Sequence, residues 1–147
     1  MKSKTILIAY QDDPWARSLS TFFHGIGYRV ETTKMVSEMI QRIRDGNIQV
    51  ILLDDEIEGV KACDLVLLFK KINDQIQVIV ISSEESLRGV KRLRRAGIFY
   101  QSIKPVDLEE IRSAVGCAFK KIERENLKGG CRYEHTRGKY KSQDCLL

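Results

Sequence analysis

No two cysteines in this chain are spaced C-x-x-C, although Cys63, Cys117, Cys131 and Cys145 are all present. That excludes a dithiol redox motif and a zinc ribbon, and Cys131, His135 and Cys145 fit no zinc spacing and fall a ligand short of a structural site. Cys63 and Cys117 lie in apolar helical patterns, where a thiol packs as a small hydrophobe; reduced thiols and a cytoplasmic location are expected. Long hydrophobic runs are missing too. The apolar stretch that begins at Thr5 extends about six residues, too short for a signal-peptide core or a membrane span. Cys145 stands third from the last residue rather than fourth, so no prenyl anchor is expected. Internal repeats are absent. The segment QDDPWAR, following the first apolar run, has none of the glycines and hydroxyls that cradle a flavin phosphate.

What is present is ordinary globular chemistry: 147 residues, 43% hydrophobic and 31% charged, enough for one domain with one core. The net charge of +5 is uneven, because residues 128–147 carry Lys128, Arg132, Arg137, Lys139 and Lys141 against Glu134 and Asp144. Periodicity also fades there. The reading is a domain over 1–127 and a basic, flexible tail over 128–147.

Short β-branched runs at Thr5–Tyr10, Tyr28–Thr32, Ile48–Leu53, Val78–Ile81 and Phe99–Ile103 have the length and composition of buried strands. Between them the apolar period approaches four: Trp15, Leu19, Phe22, Phe23 and Ile26 share a helical face, as do Val36, Met39, Ile40 and Ile43, and Leu65, Leu68, Phe69 and Ile72. Asp13 with Pro14 suits a helix start, Gly25 or Gly27, Gly46 and Gly97 suit helix exits, and Asp107 with Glu110 resembles a capping box. Leu87, Val90 and Leu93 give a fourth helix a narrow apolar stripe among five basic residues. It lacks the interleaved aromatics of a single-strand nucleic-acid surface, so nucleic acid is not the expected partner. Five strands alternating with five helices predict an α/β doubly wound parallel sheet.

In such a sheet the chemistry gathers past the carboxyl ends of the strands. Those positions read Gln11, Asp12 and Asp13 after the first strand, Asp54 and Asp55 after the third, Ser82 and Ser83 after the fourth, and Lys104 with Pro105 after the fifth. Clustered carboxylates repel unless a cation holds them. Magnesium, which takes a few carboxylate oxygens plus water and phosphate, suits Asp12, Asp54 and a backbone carbonyl. A screened Asp54 is then a candidate nucleophile for phosphoryl transfer, with Lys104 and the Ser82 hydroxyl placed for equatorial oxygens. Asp13 reads as an N-cap, and Pro105 suggests a cis bond before it.

Four such motifs in this order, over Lys4 to about Ile122, resemble the receiver domain of bacterial two-component response regulators. GYRVET, AGIFYQSIKP and LEEI also fall where receivers have similar text. The resemblance implies a flavodoxin-like (βα)5 fold with strand order 2-1-3-4-5. It implies phosphorylation of Asp54 by a histidine kinase or phosphotransfer protein, with Ser82 and Lys104 assisting. Mg2+ would be held by Asp12, Asp54, the backbone carbonyl of Glu56 and, through water, Gln11. Output would pass to another protein over the face of the fourth helix, fifth strand and fifth helix, and a homodimer is a candidate assembly. Catalysis would be limited to gain and loss of phosphate at Asp54.

Three departures carry further expectations. Gln11 replaces the first acid of the usual pair, which weakens metal binding. Glu58 replaces a proline four residues past Asp54, which predicts a looser loop. Gln101 stands where an aromatic switch residue is usual, with Tyr100 on the opposite side of the strand. The alternative reading is a pseudo-receiver, a binding module of the same fold working without phosphate.

Overall fold

The structure, a computed structural model, describes residues 4–11 and 13–127; the basic segment 128–147 and Asp12 lie outside it. Five strands form one parallel sheet: β1 (Thr5–Ala9), β2 (Arg29–Thr33), β3 (Val50–Asp54), β6 (Gln77–Ser82) and β7 (Tyr100–Ile103), in the order β2-β1-β3-β6-β7. In the count of five sheet strands this is 2-1-3-4-5, as the resemblance implies. Among the described residues four helices lie in the crossovers, α1 (Asp13–Gly25), α2 (Val36–Arg44), α3 (Ala62–Ile72) and α4 (Leu87–Ala96), and a fifth, α5 (Leu108–Leu127), follows the last strand.

The strands are apolar without alternation because both faces are covered, and the pleat sorts their side chains. Leu7, Ile51, Leu53, Val78 and Val80 pack with Met39, Ile43, Leu65, Phe69 and Leu93 of α2, α3 and α4. Their neighbours Ile6, Ile8, Val50, Leu52, Ile79 and Ile81 pack with Leu19 and Phe23 of α1 and Ile111, Val115 and Phe119 of α5. Each fully buried Leu, Ile or Phe contributes about 1.5–3 kcal/mol by leaving water. Cys63 and Cys117 are buried in these layers, as their apolar helical setting predicts. Gly97 closes α4 in the left-handed region, which a residue with a Cβ enters at a cost.

Two elements differ from expectation. The first is a hairpin inserted between β3 and α3, made of β4 (Glu56–Ile57) and β5 (Val60–Lys61). Its two central residues, Glu58 and Gly59, have φ of 51° and 82°. Positive φ at both is the signature of a type I′ turn, whose twist matches the strands it joins. The loop that loses a proline is therefore ordered by paired strands, and buried Ile57 anchors it in the core. Restoring proline at this position is expected to harm the protein, because the ring fixes φ near −65° where the turn needs a positive value. Glu58→Pro should cost more than about 1 kcal/mol of stability, seen as a lower urea midpoint; an unchanged midpoint would contradict the turn assignment.

The second difference is at the start of α5. Asp107 caps it through Oδ1, which accepts the N–H groups of Glu109 (3.0 Å) and Glu110 (3.3 Å). Glu110 does not complete the box. Its carboxylate instead accepts the hydroxyls of Tyr100 (2.6 Å) and Ser102 (3.0 Å), fastening β7 to α5. Burial and this carboxylate push the Tyr100 phenol up to about 12.

Candidate functional site

Parallel pairing puts the ends of β1, β3, β6 and β7 along one edge, with Ala9 opposite Leu53, Asp54 opposite Ile81, and Ser82 opposite Ile103. Asp54 is the last residue of β3 and only 2% exposed. Its Oδ1 accepts the Lys104 ammonium at 3.0 Å and the backbone N–H of Asp55 at 2.8 Å. Its Oδ2 accepts the backbone N–H of Gln11 at 2.9 Å. A buried carboxylate needs such donors, and here one of them carries the opposite charge. Gln11 thus reaches Asp54 through its main chain, whereas its side chain was the group expected at the metal.

Lys104 is aimed by the end of β7. Its own N–H donates to the Ser82 carbonyl at 2.8 Å, and the bond to Pro105 is cis. Ser82 is fully buried, and its Oγ accepts the N–H of Glu84 at 2.8 Å. In that contact the hydroxyl is an acceptor, so its proton is left to donate elsewhere. Among the described residues the structure brings Asp54 and Lys104 into direct contact, with Ser82 on the adjacent strand end.

Asp54, Asp55, Glu56 and Glu58 are near neighbours in sequence, yet they diverge in space. Asp55 accepts the N–H (2.9 Å) and hydroxyl (3.0 Å) of Ser83. Glu56 lies opposite Lys61 across the hairpin. Glu58 accepts the N–H of Val36 at 2.7 Å. Much of the repulsion anticipated from the sequence is therefore relieved by direction alone, since alternate residues of extended chain point to opposite sides.

The donors present suit a hard divalent ion. Pairing alternates in an antiparallel ladder: Ile57 and Val60 flank the two-residue turn as the bonded pair, and the Ala62 N–H donates to the Asp55 carbonyl at 2.8 Å. Glu56, between them, has its N–H and C=O outside the ladder, so its carbonyl is available as an oxygen ligand. Among the described residues no group of three His, Cys, Asp or Glu side chains holds a metal by itself. Magnesium does not require one, being held through one or two carboxylates and water. Asp12, the second expected carboxylate, lies outside the described residues.

One residue of the site's surroundings, Glu84, escaped the sequence reading. Glu84 links the β6 to α4 loop to three partners. Its N–H reaches Ser82, its carbonyl accepts Gln101 Nε2 at 3.1 Å, and its carboxylate accepts the Ser86 N–H at 3.0 Å. Those Ser86 hydrogen bonds hold the Glu84 carboxyl below the usual range. The side chain lies so close over Gly89 that a Cβ there would stand 2.2 Å from Glu84 Cδ. Gln101, where an aromatic was looked for, therefore tethers the loop that follows Ser82, while Tyr100 on the opposite side packs toward α5. A polar residue two positions past a strand-end serine was the only sequence signal for Glu84. The Glu58-Gly59 pair between two extended dipeptides was a signal for the hairpin.

A flavodoxin-like sheet with a buried acid and a lysine at adjoining strand ends defines the class of molecule. The family model for the response regulator receiver domain matches residues 6–116. The chain is 30% identical over 115 residues to the DNA-binding transcriptional regulator NtrC of Azospirillum brasilense, which covers 78% of this chain but 24% of that protein. Among solved structures it resembles a CheY-like response regulator receiver domain protein from Methanospirillum hungatei, at a TM-score of 0.78 and 21% identity, covering 84% of this chain and 99% of that one. It also resembles the CheX-CheY-BeF3-Mg complex of Borrelia burgdorferi, at a TM-score of 0.72 and 19% identity, covering 80% and 90%. The chain belongs to the response regulator receiver domain family of two-component signalling. It spans about a quarter of the NtrC proteins it matches. No described helix is long and apolar enough to cross a membrane.

Proposed function

We propose that this protein is a phospho-accepting signalling switch whose Asp54 takes a phosphoryl group from a histidine kinase or phosphotransfer protein. The observation that carries this is the Asp54 carboxylate, buried yet held by the Lys104 ammonium and two backbone N–H groups. An Asp54 oxygen attacks phosphorus, the bond from phosphorus to the donor's nitrogen or oxygen breaks, and the leaving group takes up a proton. Lys104 meets charge on the equatorial oxygens and the Ser82 hydroxyl donates to one of them. Because transfer depends mainly on positioning and charge neutralisation, these contacts account for most of what the protein supplies. Water attacking phosphorus later returns free Asp54 and inorganic phosphate; no other catalysis is assigned.

Asp12, Asp54, the Glu56 carbonyl and, through water, Gln11 would hold Mg2+, which when bound supplies positive charge to phosphoryl oxygens. The magnesium named in the Borrelia burgdorferi complex supports this cofactor. Output passes by protein contact over the face of α4, β7 and α5, where Leu87 is 69% exposed beside Arg88, Lys91, Arg92, Arg94 and Arg95. A cytoplasmic location fits a kinase partner.

A second reading, a module that binds partners without phosphate, has in its favour that Asp54 is 2% exposed with three donors already in place. Intact mass after treatment with acetyl phosphate and Mg2+ separates the two. One added phosphoryl group supports the switch, and an unchanged mass supports the module. Metal binding has its own readout. Trp15 lies partly buried on α1 close to the site edge, so Mg2+ is expected to change its emission. A flat titration to about tens of millimolar, identical in Asp54→Asn, would remove magnesium from the proposal.

A further inference from the structure

A non-glycine residue held at positive φ costs about 1–2 kcal/mol, and glycine would hold the same turn without that penalty. Glu58 nevertheless occupies the first position of the I′ turn at φ 51°. What glycine lacks is the carboxylate. Glu58 Oε1 accepts the N–H of Val36 at 2.7 Å, across 22 residues of chain. Val36 opens α2, whose preceding residue Met35 offers no side-chain cap. A carboxylate there satisfies an orphan donor and meets the positive end of the helix.

This bond closes a circuit around the Asp54 edge. The Gln11 N–H donates to Asp54, and the adjacent Tyr10 N–H donates to the Thr33 carbonyl at 3.2 Å. Thr33 Oγ1 accepts the Met35 N–H at 3.0 Å and bonds to Glu38. Val36 then reaches Glu58, and the hairpin leads back through Glu56 to Asp54. Every link but one is main chain or a residue at a strand end. Glu58 is the side chain that joins the two halves.

We propose that Glu58 is a positioning residue: its bond to the start of α2 fixes the β4-β5 hairpin, and with it the Glu56 carbonyl, at the distance from Asp54 that a divalent cation requires. This rests on reading Asp54 as a magnesium site. Coupling between two groups is reciprocal, so filling the site also tightens the cap on α2. The loss of a proline is thereby compensated by a tertiary hydrogen bond, and ion occupancy becomes linked to a helix that carries no ligand.

The test is Mg2+ titration of the full chain, wild type, Glu58→Ala and Glu58→Gln, read by Trp15 emission and by the Val36 amide resonance. Alanine shares glutamate's penalty at positive φ, so the comparison isolates the carboxylate, and glutamine keeps an acceptor oxygen. Glu58→Ala is expected to weaken Mg2+ binding about fivefold and to lose the Mg2+-dependent shift of Val36, with Glu58→Gln within about twofold of wild type. Wild-type affinity in Glu58→Ala, with only a lower melting temperature, would overturn the proposal and leave Glu58 a helix cap. If the wild type itself shows no Mg2+ response, the underlying reading of Asp54 fails instead, and the circular dichroism of each variant checks that it is folded.

Discussion

Lys104→Met is expected to slow acetyl phosphate labelling of Asp54 about a hundredfold or more, and Asp54→Asn to abolish it. Among the described residues the Lys104 ammonium is the one full positive charge found on Asp54, at 3.0 Å, with its side chain 27% exposed against 3% for the carboxylate. In a site this shielded, removing a single preorganised donor to developing charge costs about 2.7–4 kcal/mol of barrier, a rate factor of roughly 10² to 10³. Methionine keeps the aliphatic length and removes the charge. The carboxylate would retain the N–H groups of Asp55 and Gln11, so the variant should fold with a loss of about 1–3 kcal/mol. Quantifying the labelled fraction by intact mass over time gives the rate. Labelling of Lys104→Met at the wild-type rate would mean that the pair is structural, and labelling of Asp54→Asn would place the acceptor elsewhere.

The second large effect lies far from that edge. Lys70, at the end of α3, is half-buried, and its Nζ donates to the Ile76 carbonyl at 2.6 Å. Burial, reinforced by the nearby Lys121 charge, lowers its pKa from 10.5 to about 8. The folded state then binds fewer protons than the unfolded chain between about pH 8 and 10.5, so stability rises with pH across that window. Below it both states are charged and the full penalty applies, on the order of 3 kcal/mol for this shift. Lys70→Met removes the charge and leaves one carbonyl without its donor, a loss of about 1 kcal/mol. The net expectation is a variant about 2 kcal/mol more stable than wild type near neutral pH, the advantage shrinking as pH rises through the window. Urea titrations of both proteins at several pH values measure this, and a constant difference would show that Lys70 is not the titrating group.

The strands were legible because both sheet faces are covered. Ile6, Leu7 and Ile8, or Ile51, Leu52 and Leu53, are all apolar although they point alternately to different helices. The helices were legible from their period, and the strand-end residues from the rule that doubly wound sheets carry their chemistry there. Glu110 was misread. The Asp107 spacing fits a capping box, but the hydroxyls of Tyr100 and Ser102 on an adjacent strand compete for the same carboxylate, and no local pattern reports that strand.

Order of elements and the identity of the strand-end residues followed from local chemistry: side-chain branching, apolar period and turn residues act over a few positions. The directions of four neighbouring acids, the reach of Glu58 to Val36, the tether from Gln101 to Glu84 and the burial of Lys70 came from tertiary structure alone. Each joins segments that only the crossovers bring together, and a hydrogen bond or a desolvated charge depends on ångström separations that residue spacing along the chain does not encode.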